Sequence, residues 1–229
     1  MAMAKKETTA LEIPRLDVQL MEVTIVGDSP LIVHAWSVKA KREMLQKQMK
    51  KAKAGREAKD PKKDFEDSMY RMEDGGYGFP SVGLKAAAVE AAMSVSGITK
   101  AAARRAFHVL GEDIDVEGAF EGVKMRQNLV RIEGGAPRMR EDMVRVGMGT
   151  ADLRYRAEFS PWFAKVLVRF NAGLLSPEQI MNLFNTAGFS TGVGEWRPEK
   201  DGQYGMFHVA TEGEIERITA DLEPARKAA

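Results

Sequence analysis

Residues 176–207 read SPEQIMNLFNTAGFSTGVGEWRPEKDGQYGMF, and the order of signals in this stretch decides the fold. Ser176 suits an N-cap, Pro177 the first helical position, and Gln179 the third residue of a capping box, so a helix starts here. Ile180, Leu183, Phe184 and Ala187 follow at helical spacing, and residues 185–188 are expected to end the helix. A glycine-rich stretch runs from Gly188 to Gly205, and residues 204–210 alternate as a closing strand. A dinucleotide or P-loop fold needs strand, glycines, helix in that order, so both are excluded.

Working outward, residues 163–171 (FAKVLVRFN) place Phe163, Lys165, Leu167 and Arg169 on one face and Ala164, Val166, Val168 and Phe170 on the other, which predicts a strand. Residues 17–27 (DVQLMEVTIVG) predict the first core strand, stopped by Gly27-Asp28-Ser29-Pro30. Ser81 is expected to cap a helix to about residue 93, with Val82, Leu84, Val89 and Met93 inward. Short helical segments are expected over 64–72 and 99–107, and β character over 108–110, 120–132 and 143–146. Strand, helix, several strands, capped helix and last strand fit the split βαβ pattern. The predicted class is α+β: a ferredoxin-like, RNA-recognition-type core with a large insertion after the first strand and a later β-hairpin. Residues 1–16 are expected to form a flexible arm and 17–210 a single domain. Within it, 37–63 form a basic helix and loop and 131–160 a hairpin. Residues 211–229 are the tail.

The chain has 229 residues and no cysteine, so neither disulfides nor thiolate metal sites are possible, and a cytoplasmic setting is the expectation. No stretch approaches the roughly 18 apolar residues of a membrane span, and no secretory signal pattern is present. Net charge is only +1. Its distribution is uneven: from Ser37 to Lys63 eleven basic residues face three acidic ones, while acids collect in 112–121 and after 212. A lysine-rich segment of this kind, with Lys39, Lys41 and Arg42 at its head, can release counterions from a polyanion. The competing expectation is a solubilising insertion.

Two further constellations bear on function. Glycines admit positive φ and let a phosphate or sugar approach backbone N–H groups, which makes Gly192 and Gly194, with Trp196 and Arg197 beside them, candidates for contact with a nucleic-acid backbone. Their spacing also fits a helix C-cap and a hairpin. Arg138, Arg140, Arg145, Arg154 and Arg156 lie among Tyr155, Phe159 and Trp162. Arginines clamp phosphates and aromatic rings stack bases. Glu133, Glu141, Asp142, Asp152 and Glu158 interleave with them, so a salt-bridged hairpin is the competing expectation.

The segments Ala187-Gly188, Gly192-Val193-Gly194 and Gln203-Tyr204-Gly205-Met206-Phe207 resemble, in order and position, the glycine-rich loop of the RAMP superfamily, which includes guide-RNA-binding backbone subunits of CRISPR effector complexes. Phe79-Pro80-Ser81-Val82-Gly83-Leu84-Lys85-Ala86-Ala87 looks like the family's opening of the first helix. Ala86 stands where the family has glycine and Glu90 where it has arginine. The resemblance implies RNA contact by Lys85 and a strand-kinking thumb over 137–156. The chain is also similar to proteins of bacteriophages and prophages.

The expected function is binding of single-stranded RNA or DNA, largely through its backbone, by a side-by-side homo-oligomer that uses no cofactor and no metal. No catalytic residue is expected. The first alternative is a metal-independent endoribonuclease using His34, with Asp28 in the same loop; the second is a structural protein of a phage assembly. His108 and His208 read as structural residues.

Overall fold

Strict alternation over residues 163–171 forces one face of that strand inward, and it lies at the centre of the main sheet. The computed structural model describes residues 15–36, 41, 44–46, 48, 49, 59–114, 125, 126, 128–146 and 150–227. β1 (Val18–Gly27) and β12 (Trp162–Asn171) pair antiparallel from Val18 opposite Asn171 to Val26 opposite Phe163. β5 (Phe107–Leu110) pairs with the far edge of β12, and β13 (Phe207–Val209) with the far edge of β1. The order is β13-β1-β12-β5, all neighbours antiparallel. The chain is thus mixed α/β, built on antiparallel sheets.

One face of this sheet carries Val23, Ile25, Phe107, Val109, Ala164, Val166, Val168 and Phe170, all buried. Two helices cover it: α2 (Ser81–Ala91), between β1 and β5, and α4 (Pro177–Ser190), between β12 and β13; α3 (Lys100–Ala106) leads directly into β5. The two covering helices contribute Leu84, Ala87, Ala88 and Ala91, and Ile180, Leu183, Phe184 and Ala187. Each fully buried Leu, Ile or Phe contributes about 1.5–3 kcal/mol, and the alanines of α2 let the two helices approach closely. The capping box at Ser176 and Gln179 forms as the sequence implies.

Four local expectations are corrected. Val82 and Met93 face solvent rather than inward, because Leu84, Ala87, Ala88 and Ala91 are the positions that meet the sheet and α4. Pro80 takes the N-cap position of α2 without a side-chain bond, and Ser81 is the first residue of the helix. α4 does not stop over 185–188 but continues to Ser190, because Gly188 serves packing: a Cβ there would lie 1.7 Å from the Phe207 carbonyl oxygen. The closing strand is shorter than 204–210, since Tyr204 and Gly205 donate to the Trp196 and Pro30 carbonyls instead of to a strand partner.

Two insertions surround this core. After β1 come β2 (Leu31–Val33), α1 (Pro61–Asp67), β3 (Tyr70–Arg71) and β4 (Tyr77–Pro80). Asp60 caps α1, so Lys62 and Lys63 stand in a helix rather than in the expected loop. Lys41 and residues 44–46 and 48 are helical, whereas Lys39 and Arg42 lie outside the described residues. After β5 come the short strands β6 (Asp113–Ile114), β7 (Met125–Arg126), β8 (Leu129–Arg131) and β9 (Glu133–Gly134), then a hairpin of β10 (Arg138–Val146) and β11 (Thr150–Phe159). The base of β11 pairs with β2, giving a second sheet of order β10-β11-β2. A last helix, α5 (Glu212–Lys227), occupies the tail. Among the described residues no helix is long and apolar enough to cross a membrane.

Candidate nucleic-acid interface

The turn after α4 brings the glycine stretch against β2 and α2. Gly192 (φ +66°), Gly194 (φ +79°) and Gly205 (φ +63°) adopt conformations open to glycine at no steric cost. Their close approaches are to the protein itself: a Cβ on Gly194 would meet the Ile32 carbonyl oxygen at 2.4 Å, and one on Gly205 the Val193 oxygen at 1.8 Å. Several loop amides are consumed internally. Gly192 N–H donates to Ala187, Val193 to Gly205 and Glu195 to Ile32. The loop is therefore a rigid wall with few spare backbone donors, which narrows the role expected for Gly192.

Between that wall and α2 lies a cleft of about 320 Å³. Gly83, Ala86 and Ala87 of α2 line it from one element and Gly192 to Glu195 from the loop, and His34, Tyr70 and Arg197 line it as well. The two sequence motifs, about a hundred residues apart, thus face each other across one concavity. His34 Nδ1 stands 3.5 Å from Glu195 Oε1. This contact, with the charges of Arg156 and Arg197, holds the Glu195 carboxyl below the usual carboxylate range against the effect of burial. Burial, and then Glu195, push the Tyr70 hydroxyl up, so it is protonated at neutral pH. Arg197 donates from Nη1 to the Gly194 carbonyl at 2.9 Å and from Nε to Glu199 at 2.8 Å. Trp196, between two lining residues, has φ +55° and is 40% exposed. Positive φ in a bulky residue is strained, and such strain clusters at binding sites.

The thumb arginines divide. Arg156 is 3% exposed, 3.2 Å from Asp142 and 3.6 Å from Glu195, so it bolts the hairpin to the glycine loop. Arg140 bonds Asp142 and Glu158, both at 2.8 Å, and stacks over Tyr204 at 4.6 Å. Arg154 lies 3.8 Å from Asp152. For these three the ion-paired hairpin describes the structure. Arg138 and Arg145 are exposed and form no ion pair with another described residue. Lys85 does not line the cleft; its Nζ donates to Nδ1 of His108 at 3.2 Å. Asp28 is 2.6 Å from His208 Nδ1, and it too lies off the cleft. Among the described residues no group of three or more His, Asp or Glu could hold a metal ion.

Sequence reasoning missed Tyr70 and Glu195 as parts of the cleft lining. Their partners are remote in the chain, and only the conjunction of β2, β11 and the glycine loop reveals them.

No protein-family model matches this chain, and no curated protein does. Among solved structures, the crystal structure of Cmr6 from Pyrococcus furiosus is similar, with 11% identity and a TM-score of 0.38 over 86% of this chain and 100% of that one. The likeness is distant.

Proposed function

We propose that the chain binds single-stranded nucleic acid, RNA or DNA, chiefly through the sugar–phosphate backbone and with little base preference, on a ferredoxin-like core and in copies that assemble side by side. The observation that carries this reading is the cleft in which a glycine-bearing wall faces Gly83, Ala86 and Ala87. Small residues on both sides leave room for a polymer backbone. Arg197 and His34 offer donors to phosphate, and the strained, part-exposed Trp196 offers a ring for stacking. Helices after β1 and β12, the first and third in chain order of the four strands arranged β13-β1-β12-β5, support the ferredoxin-like assignment. Glu90, Glu195 and Glu199 also line the cleft, so affinity rests on several weak contacts and falls with salt.

The test is a titration of fluorescent single-stranded RNA and DNA at two salt concentrations with wild type and Ala86→Glu. Ala86 is exposed on the cleft side of α2, so the carboxylate enters the site without touching the core. Wild type binds both strands and weakens with salt, and the variant binds about tenfold more weakly or worse. Equal affinity of the two proteins, or no binding by wild type at low salt, refutes the reading.

A second reading, a metal-independent endoribonuclease, is favoured by one observation: His34 lines the same cleft with its side chain 33% exposed and Glu195 beside it. Cleavage of labelled RNA by wild type and its loss in His34→Ala would support that reading. Binding without cleavage supports the first.

A further inference from the structure

β10 is an edge strand: among the described residues β11 pairs with one side of it and no strand with the other. Its pairing with β11 is uninterrupted from Arg138 opposite Glu158 to Val146 opposite Thr150, and it contains no proline. Proteins commonly shield such an edge with bulges, prolines or a covering loop, and a long regular edge is a template for another strand. The side chains alternate in a telling way. On one face Arg140 and Asp142 are satisfied within the hairpin. On the other, Met143 is 72% exposed, its cross-strand neighbour Leu153 is 42% exposed, and Glu141 and Arg145 flank Met143 at two residues either side.

We propose that this edge is an interface between two copies of the chain, with the two β10 strands antiparallel about a two-fold axis at Met143. That register sets Met143 against Met143 of the second copy. It sets Glu141 against Arg145 of the second copy, and Arg145 against its Glu141. A row of Leu153, Met143, Met143 and Leu153 then runs across the joined sheets. The charge pattern selects this register over its neighbours. Centring the axis on Glu141 or on Asp142 brings two like carboxylates face to face, and centring it on Val144 sets Arg145 against Met143, with no ion pair. Like charges directly opposite are destabilising and opposite charges stabilising. Glu141 stands opposite Tyr155 across the hairpin, and its nearby carboxylate raises the tyrosine's pKa, which places that carboxylate on this face. A two-fold pairing of one patch with itself is closed, so it yields a dimer of hairpins and leaves the cleft of each copy to its own ligand.

Charge reversal gives a decisive experiment. Wild type, Glu141→Arg and Arg145→Glu are compared by sedimentation equilibrium without nucleic acid, up to about 10⁻⁴ M, where a micromolar Kd is saturated. Each single variant sets like charges in both flanking pairs and weakens dimerisation roughly tenfold or more. Mixed in equal amounts, the two variants restore opposite charges at every flanking position, and the dimer returns. Met143→Cys provides an independent readout, because the chain has no cysteine of its own. Antiparallel partners lie about 4.5 or 5.5 Å apart at Cα, within disulfide range, so mild oxidation links two copies through Cys at 143. Ala151→Cys, on β11 away from the edge, does not link. A monomeric wild type overturns the proposal, as does a mixture that stays monomeric. So does unchanged mass in all variants accompanied by altered oligonucleotide binding, which would assign the edge to nucleic acid.

Discussion

Gly194→Ala separates the two uses that a glycine can have in the loop after α4. At φ +79° an alanine meets a left-handed penalty of about 1–2 kcal/mol. Its Cβ would stand 2.4 Å from the Ile32 carbonyl oxygen and 2.9 Å from Leu31 Cδ1, on a strand whose three residues are buried. The same carbonyl accepts the Glu195 N–H at 2.9 Å, so the loop must lift off β2 and weaken that bond. Overpacking of about 1–3 kcal/mol and a bond of about 0.5–1.5 kcal/mol bring the cost to roughly 3–5 kcal/mol. Gly75→Ala is the control, with φ +83° and no atom within 4 Å of the added Cβ, so it carries only the conformational cost of about 1–2 kcal/mol. In a chain of this length 1 kcal/mol moves Tm by about 2–4 °C. Thermal unfolding followed by circular dichroism should show Gly194→Ala losing about 6–20 °C and Gly75→Ala two to three times less. Equal losses would refute the argument that β2 braces the loop, and with it the claim that one wall of the cleft is preformed.

Other expectations follow from the ion pairs. Asp142 serves both Arg140 and Arg156, so Asp142→Ala leaves two guanidinium groups short of a partner and should cost about 3–5 kcal/mol in urea unfolding. Arg156→Met leaves Asp142 its contact with Arg140 and should cost less, about 1–3 kcal/mol; the reverse ranking would show that Arg156 is the member on which the hairpin depends. His208 contacts Asp28 and Glu214 through its two ring nitrogens. Burial lowers its pKa, but hydrogen bonds to both carboxylates outweigh this and raise it above 6.5. Glu214 is lowered to about 2, first by the Thr211 backbone and hydroxyl and then by His208. The His208 contribution is complete below pH 6.5 and is lost as pH rises through its raised pKa; that of Glu214 is present above pH 4.5 and is lost as pH falls toward 2. Protection of the first turn of α5 from amide exchange, corrected for intrinsic rates, should peak between those limits. His208→Gln should remove the alkaline decline.

Much of the core was legible because period alone specifies it. Alternation at 163–171 and 17–27 names the two central strands, and the capping box at Ser176 names the start of α4, since those signals act between near neighbours. Element ends were less legible. Gly188 reads as a stop in sequence, yet it lies inside α4 because a carbonyl of β13 presses on it, a fact that exists only after packing. Ser81 reads as a cap, yet its helix starts one residue earlier in register because β4 delivers Pro80.

The site divides in the same way. The sequence by itself determined that a glycine-bearing turn follows α4, that α2 opens with small residues, and that arginines and carboxylates interleave over the hairpin. Those properties depend on residue type and local spacing. Only the tertiary structure decided that Gly83, Ala86 and Ala87 face the segment Gly192 to Glu195 across a cleft. It also decided that Arg140 and Arg156 turn inward to Asp142, whereas Arg145 and Met143 are left on an open edge. The physical reason is that an ion pair or a cleft is a relation between side chains brought together by the burial of other residues, and a linear pattern of charges does not say which partner each will meet.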